Sequence, residues 1–110
     1  MTESSTTSIS KINKSEQGLT VIGELVFSNI ANLHADSEAL LKHHVANSNE
    51  AETLIIDCQQ MTRIDSAGIA LLLEWQRQLI QLNKHCVFKD LSTQAQSLIS
   101  AYHLKSLLKT

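Results

Sequence analysis

The feature that most constrains the fold is a short apolar run that stops at a carboxylate and is followed, after a polar loop, by a second apolar run. Residues 54–58 are rich in β-branched side chains and include Asp57 near their end, which is typical of a buried central strand. The second run opens at Asp65 and Ser66 and continues with helical spacing to Leu82. A strand, a loop and a helix N-terminus in this order place Ser66 and free backbone N–H groups at the surface. An anion or a partner loop could dock at such a point.

The rest of the chain alternates between strand-like and helix-like patterns. The chain is predicted to begin with a hairpin of residues 8–13 and 19–22, whose second strand residues 23–25 continue or close, followed by a helix of residues 29–46 with Ser28 as its N-cap. A central strand of residues 53–58 and a helix of residues 66–82 come next, and then a strand around residues 86–88. Residues 90–92 cap a third helix, whose apolar face includes Tyr102, and residues 104–108 form a short last turn. This order predicts an α/β sandwich, with a mixed β-sheet of about four strands and three to four helices mostly on one face. Residues 1–7 are expected to be a flexible tail and 8–110 a single domain, because 110 residues build only one modest core.

Charge and cysteine usage exclude several classes of protein. Nine Lys+Arg against eleven Asp+Glu give a formal charge of -2, and no basic cluster favours nucleic acid as a ligand. No apolar run is long enough to span a bilayer, and the N-terminus lacks the pattern of a secretory signal. We expect Cys58 and Cys86 to be buried, reduced thiols in neighbouring strands, which favours a reducing compartment. The chain is therefore expected to be cytoplasmic, with any membrane role supplied by a partner.

Catalysis has little support in the sequence. Asp57, Asp65 and Ser66 are the polar residues placed as a site would be, but no histidine has a context that would bring it beside Ser66 as in a nucleophilic triad. An acid–base pair of Asp57 and Asp65 is the weaker alternative, because nothing indicates a substrate cleft. Asp65 and Ser66 also fit a simple structural role as helix N-caps. The five histidines show no ligand spacing and the glycines form no phosphate loop, so we expect no metal and no cofactor.

The helix of residues 66–82 has more apolar surface than packing on a sheet requires. Its apolar arc is roughly 200° wide, against about 100° for an ordinary amphipathic helix. Two interpretations remain open and are compatible with each other. Neighbouring helices cover the second apolar stripe, or part of the arc near Trp75 faces a partner protein, as exposed apolar patches with an aromatic residue often do.

The run that ends at Asp57 and the segment from Ile64 to Leu73 are together similar to the signature of STAS domains, the fold of anti-sigma factor antagonists. Residues 23–25 resemble the turn of this family into its first helix, and the similarity covers about residues 18–108. The resemblance implies a STAS-like sandwich. In anti-sigma factor antagonists the phosphorylated serine usually lies directly before the glycine, where this chain has Ala67. The hydroxyl lies one residue earlier, on Ser66, as in the STAS subunits of phospholipid-transport ABC systems.

That resemblance implies a protein without enzymatic activity. It implies binding to the ABC ATPase of an inner-membrane phospholipid transporter, in a complex with its permease, and support of the assembly or activity of that ATPase. It assigns Ser66 to the contact with the ATPase and Asp65 to a supporting role. The alternative is a phospho-regulated anti-sigma factor antagonist, in which Ser66 would carry the phosphate. The predicted partner-binding residues are Asp65, Ser66, Ala67, Gly68, Ile69 and Trp75.

Overall fold

The computed structural model describes residues 10–46 and 53–110. The elements are β1 (Lys11–Ser15), β2 (Gly18–Leu25), α1 (Ile30–Ala46), β3 (Thr53–Asp57), β4 (Met61–Ile64), α2 (Ser66–Gln81), β5 (His85–Lys89) and α3 (Thr93–Ala101). The predicted α/β class, the mixed sheet and the three main helices are confirmed. The predicted tail of residues 1–7 and the first two residues of the predicted hairpin lie outside the described residues.

The sheet is mixed, because one strand pair is antiparallel and the others are parallel. Strand β1 pairs antiparallel with β2 around the tight turn at Glu16 and Gln17, as predicted, although the first strand runs two residues further than expected. Strands β2, β3 and β5 then run parallel in the order β1-β2-β3-β5. The predicted central strand is therefore β3, between β2 and β5.

A short strand was missed by the sequence prediction. Residues 59–63 were expected to be a polar loop, but Met61–Ile64 form β4, which pairs parallel with the second half of β2. Residues 18–20 of β2 pair with β3 and residues 23–25 pair with β4, so one long strand serves both. Residues 23–25 therefore continue the second strand and do not form a turn into the first helix. Strand β4 delivers the chain directly to the start of α2.

The core lies between one face of the sheet and the helices. Along β2 the buried side chains Leu19, Val21 and Leu25 alternate with half-buried ones, so only one face of the strand is covered. Trp75 of α2 and Phe88 of β5 are the largest fully buried side chains. This burial confirms that the helices pack mostly on one face of the sheet.

Cys58 and Cys86 are buried free thiols, as predicted. Burial is the main cause that raises the pKa of the Cys58 thiol to about 12, and the carboxylates of Asp57 and Asp90 add to it. Burial also raises the pKa of Cys86 to about 12. Both thiols are therefore protonated at neutral pH and poor nucleophiles.

Candidate partner-binding site

The start of α2 is fixed by the carboxylate of Asp65. This residue is the N-cap, and its Oδ1 accepts a hydrogen bond from the Gly68 N–H at 3.1 Å. Its Oδ2 accepts a second hydrogen bond, from the Phe27 N–H at 3.0 Å. One side chain therefore satisfies the first turn of α2 and holds the loop between β2 and α1 against it. The supporting role of Asp65 in partner binding stays a prediction, and these two bonds show what the residue does within the chain.

Ser66 is the first residue of α2 and not its cap, because Asp65 occupies the capping position. Its side chain is exposed, and its hydroxyl makes no hydrogen bond within the described part of the chain. Ala67 is half-buried next to it. The helix thus begins with two small side chains, which allow close approach of another protein surface.

Gly68 is required by packing and not by backbone conformation. A Cβ atom at this position would lie 2.2 Å from the carbonyl oxygen of Leu25 and 2.5 Å from Cγ1 of Ile64. The first turn of α2 therefore packs directly on the end of β2 and β4, with no room for a side chain. Gly68 and Ile69 are both buried, so they lie beneath the predicted contact surface in the isolated chain.

An apolar groove begins at Ala67, the residue after Ser66, and runs between α1 and α2. It is shallow, with a volume of about 340 Å³, and most of its walls are apolar; it is lined by Phe27, Ile30, Ala31, His34, Ala67, Ala70, Leu71 and Glu74. Phe27 is 78% exposed although its own backbone is fixed by Asp65. The sequence analysis did not predict Phe27 as a site residue, because a single aromatic residue in a loop forms no periodic pattern. Its position directly before the polar residues 28 and 29, which indicate an exposed loop, could have drawn attention to it.

The loop that carries Phe27 is held by Asn29. The Asn29 Oδ1 accepts a hydrogen bond from the Val26 N–H at 3.1 Å, and its Nδ2 donates to the carbonyl of Glu24 at 3.0 Å. Asn29 directly precedes α1, so the prediction of Ser28 as the N-cap is wrong. The exposed Phe27 ring is thus presented by a backbone that is tied down on both sides.

The predicted contribution of Trp75 to a partner surface is corrected by the structure. Its side chain is 0% exposed, and its indole N–H donates to Oγ of Ser37 on α1 at 2.7 Å. The surplus apolar surface lies elsewhere, at Ile80 near the end of α2 and at its C-cap Leu82, which are 55% and 45% exposed. Of the two interpretations left open by the sequence, coverage by a neighbouring helix holds for the part of the arc around Trp75.

One of the residues that line the groove, His34, contains a buried polar atom that has no hydrogen-bond partner within the described residues. This atom is the ring Nε2. An unsatisfied buried polar atom costs about 1–3 kcal/mol, and native proteins contain only a few such atoms. The opposite wall carries Glu74, where a hydrogen bond from Arg77 is the main cause that lowers the pKa to about 2.

The two aspartates considered for catalysis are engaged by the backbone. Oδ1 of Asp57 accepts a hydrogen bond from the N–H of Gln59 at 2.9 Å, while both carboxylate oxygens of Asp65 accept main-chain N–H groups. Over residues 10–46 and 53–110, no group of three or more His, Cys, Asp or Glu side chains could hold a metal ion. In the same ranges, none of the helices combines the length and hydropathy that a membrane span needs.

The fold and this site define a class: a mixed sheet covered by helices on one face, with a small-residue helix N-terminus presented at the surface, as in STAS domains. The family model described as "Mlab, STAS domain" matches residues 10–109, and the chain belongs to that family.

Among solved structures, the chain is similar to the anti-sigma factor antagonist SpoIIAA in its unphosphorylated form, with a TM-score of 0.59 and 18% identity over 84% of this chain and 82% of that chain. At that identity the likeness shows the fold alone. A structure of Mglu has a TM-score of 0.44 and 14% identity over 74% of this chain and 19% of its own, and it carries no argument. Comparison with curated proteins gives no match.

Proposed function

We propose that this chain is a non-catalytic STAS subunit that binds the ABC ATPase of an inner-membrane phospholipid-transport complex. In this role it supports assembly or activity of the ATPase, and through the associated permease it contributes to outer-membrane lipid asymmetry. The observation that carries the proposal is the apolar groove that begins at Ala67, with Phe27 exposed at its rim. Membership of the Mlab family supports the choice of an ABC ATPase as partner.

The groove has the properties of a docking surface and not of a catalytic cleft. Its walls are mainly Ala, Leu, Ile and Phe, and Glu74 is engaged by Arg77. Burial of an exposed Phe side chain contributes about 1.5–3 kcal/mol, enough for Phe27 to act as an anchor of the contact. Ser66 and Ala67 leave the backbone of the partner room to approach the first turn of α2.

The proposed partner also implies where in the cell the protein is found. We propose that it is cytoplasmic and peripheral to the inner membrane, and that it reaches the membrane only through the ATPase and permease. Neither a cofactor nor a metal is part of the proposed role.

The proposal is tested by co-purification with the ABC ATPase. Ser66→Arg places a long charged side chain at an exposed position next to Ala67, which lines the groove, and we expect at least a tenfold loss of bound ATPase. Ser100→Arg makes the same change on another exposed serine, near the end of α3, and is the matched control. If both variants fold and bind the ATPase as well as the wild type does, the groove is not the docking site.

A second candidate, a phospho-regulated anti-sigma factor antagonist, is favoured by one observation. The Ser66 hydroxyl is exposed and makes no hydrogen bond within the described residues, so it is accessible to a kinase. A phosphate there would add about -1.5 to -2 charge next to Asp65 and the groove. Incubation with a cognate anti-sigma kinase and ATP, followed by mass spectrometry, separates the two functions. Stoichiometric phosphate on Ser66 would favour the switch, and an unmodified Ser66 favours the transport subunit.

A further inference from the structure

The groove that begins at Ala67 continues along the helix pair as a longer valley. Beyond the groove, a second hollow of about 240 Å³ lies between the later turns of the same two helices. Residues between 27 and 34 and between 67 and 74 line the groove, and residues between 38 and 42 and between 77 and 82 line the second hollow. The two helices therefore run in the same direction along both hollows. From Ala67 to Leu82 this α1–α2 valley is about 22 Å long.

The residues that line the α1–α2 valley lie on one side of each helix. Along α1, the lining positions 31, 34, 38 and 42 recur every three or four residues. Along α2, the lining positions 67, 70, 74, 78 and 81 repeat this spacing. Side chains three and four residues apart share one face of a helix. The groove and the second hollow are therefore two halves of one continuous surface.

Both halves of the α1–α2 valley are accessible from outside. In the first half, Phe27 is 78% exposed, and Ala31 and Ala70 are exposed on the two facing helices. In the second half, Lys42 of α1 and Gln81 of α2 are exposed. The distance at which helices pack depends on the side chains at the contact, so the alanines let a partner approach closely.

The walls of the α1–α2 valley favour a helix as its occupant. Both walls are α-helices, whose main-chain groups are hydrogen-bonded within each helix. An extended segment would meet no strand edge here, and its own buried N–H and C=O groups would lack partners. A helix satisfies its main chain internally and packs its side chains into the space between two other helices.

The charge of the α1–α2 valley changes along its length. In the groove half, the carboxylate is that of Glu74, which is paired with Arg77. In the second half, Glu38 and Lys42 lie one turn apart on α1, about 6 Å along its axis. Neither of these two side chains forms an ion pair within the described residues. Both are therefore available to charges of opposite sign on a partner.

We propose that the α1–α2 valley binds one amphipathic helix of the ATPase, whose side chains change from apolar to basic to acidic along the valley. Its apolar side chains contact Phe27 and Ala70, a lysine or arginine pairs with Glu38, and an aspartate or glutamate one turn further pairs with Lys42. This inference rests on the function proposed above. It extends the contact from the first turn of α2 to the last and defines the chemistry of the partner segment.

Co-purification with the ATPase tests how far the contact extends. Gln81→Arg repeats the change made at Ser66, about 22 Å further along α2, and should reduce bound ATPase at least fivefold. Ser100→Arg is again the control. Loss of binding by Ser66→Arg with wild-type binding by Gln81→Arg would confine the contact to the groove, which overturns this proposal and leaves the proposed function standing. Wild-type binding by Ser66→Arg counts against the proposed function itself.

Charge variants test the order of charges on the partner helix. Glu38→Lys and Lys42→Glu should each reduce bound ATPase at least threefold, and Glu38→Gln and Lys42→Gln should reduce it less, because repulsion weakens binding more than a lost attraction does. Glu16→Lys in the β1–β2 turn and Lys105→Glu beyond α3 make the same reversals at exposed positions outside the valley and should bind at the wild-type level. Circular dichroism checks that each variant is folded. Wild-type binding by the valley reversals, or equal losses in the neutral and reversed variants, would contradict the charge pairing.

Photo-crosslinking identifies the occupant. A photo-crosslinking amino acid is placed at Phe27 and, separately, at Gln81, which lie at opposite ends of the α1–α2 valley. A helix covers about 20 Å in about 13 residues, and an extended chain covers it in about six. The two attachment points on the ATPase should therefore lie about 13 residues apart in one segment. A separation of about six residues, attachment in two distant segments, no Gln81 crosslink in an assembled complex, or a Gln81 crosslink to a second copy of this chain would each overturn the proposal.

Discussion

At the scale of single residues, Asp65 connects the structural and the proposed functional roles of the site. Its two oxygens hold the N–H groups of Gly68 and Phe27, which belong to elements far apart in the sequence. The same side chain therefore caps α2 and fixes the position of the loop that carries Phe27. A change at Asp65 should affect stability and partner binding together.

Asp65→Ala is the first prediction. Loss of a helix N-cap costs about 0.5–2 kcal/mol, and we expect the upper part of this range because the bond to Phe27 is lost as well. Urea denaturation measures the free energy of unfolding. Ser92→Ala is the matched control, since Ser92 caps α3 through a single bond to the Ala95 N–H.

Ser92→Ala should lower stability less than Asp65→Ala and leave ATPase binding at the wild-type level. Asp65→Ala should weaken ATPase binding even at temperatures where the variant is fully folded. Equal binding by the two folded variants would contradict the link between Asp65 and the Phe27 loop.

The buried thiols predict a pH dependence of stability. The pKa of Cys58 and of Cys86 is about 12 in the folded chain and about 9.0 when unperturbed, because burial disfavours the thiolate. The contribution of the buried, protonated thiols to the stability of the fold is therefore complete below pH 9, and it is lost as the pH rises towards 12. In this window each thiol lowers the free energy of unfolding by up to about 1.4 kcal/mol per pH unit.

Urea denaturation at pH 8, 9 and 10 measures this dependence. The double variant Cys58→Ala and Cys86→Ala removes both thiols and should show a flatter decline above pH 9 than the wild type. The same slope in both proteins would mean that the thiols do not titrate as their burial indicates.

At the scale of elements, α2 was predicted well at its ends and poorly in the middle. Asp65 and Ser66 mark its start by local chemistry, and the helix ends at Gln81, one residue before the predicted end. Its exposed apolar residues could not be placed from periodicity, because periodicity does not say which neighbours cover each stripe. Trp75 is covered by α1, while Ile80 has no such cover and lines a cleft beside β5 and the C-terminal turn.

Other elements show the same division between local and long-range information. Ser92 was predicted within the cap of α3 and does cap it, whereas Tyr102, predicted on its apolar face, is the C-cap and is 48% exposed. Strand β4 has only four residues, two of them exposed, and exists because it pairs with the second half of β2. The sequence of a four-residue strand is too short to show a periodic pattern, so its pairing with a distant segment could not be predicted.

The contact between α1 and α2 gives a prediction at this scale. Ser37 and Trp75 are both 0% exposed, and the Ser37 hydroxyl accepts the indole N–H. Ser37→Ala leaves that donor buried without an acceptor, at a cost of about 1–3 kcal/mol. Thermal or urea unfolding measures the loss, with the exposed Ser97→Ala as control, expected within about 0.5 kcal/mol of the wild type.

If Ser37→Ala matches Ser97→Ala in stability, the hydrogen bond does not hold the two helices together. Because the groove lies between the same two helices, a destabilised Ser37→Ala should also bind the ATPase more weakly. That effect would be smaller than the effect of Ser66→Arg, since no side chain is added beside the groove.

At the scale of the whole molecule, the two ends of α2 present different surfaces. The first end carries the small residues Ser66 and Ala67 and the Phe27 groove, and the second end carries an apolar and basic cleft. The STAS-type fold was predictable from the run that ends at Asp57 and the helix that follows Asp65. The groove was not, because Phe27 comes from a loop that only the folded chain brings beside Ala67.

The central claim is that the Phe27 groove is the surface that meets the ATPase. The most direct measurement places a photo-crosslinking amino acid at Phe27 and, separately, at Tyr102, an exposed aromatic residue at the end of α3. After illumination of the assembled complex, the Phe27 position should crosslink to the ATPase subunit and the Tyr102 position should not. A crosslink from Tyr102 with none from Phe27, in a complex that still assembles, would contradict the account.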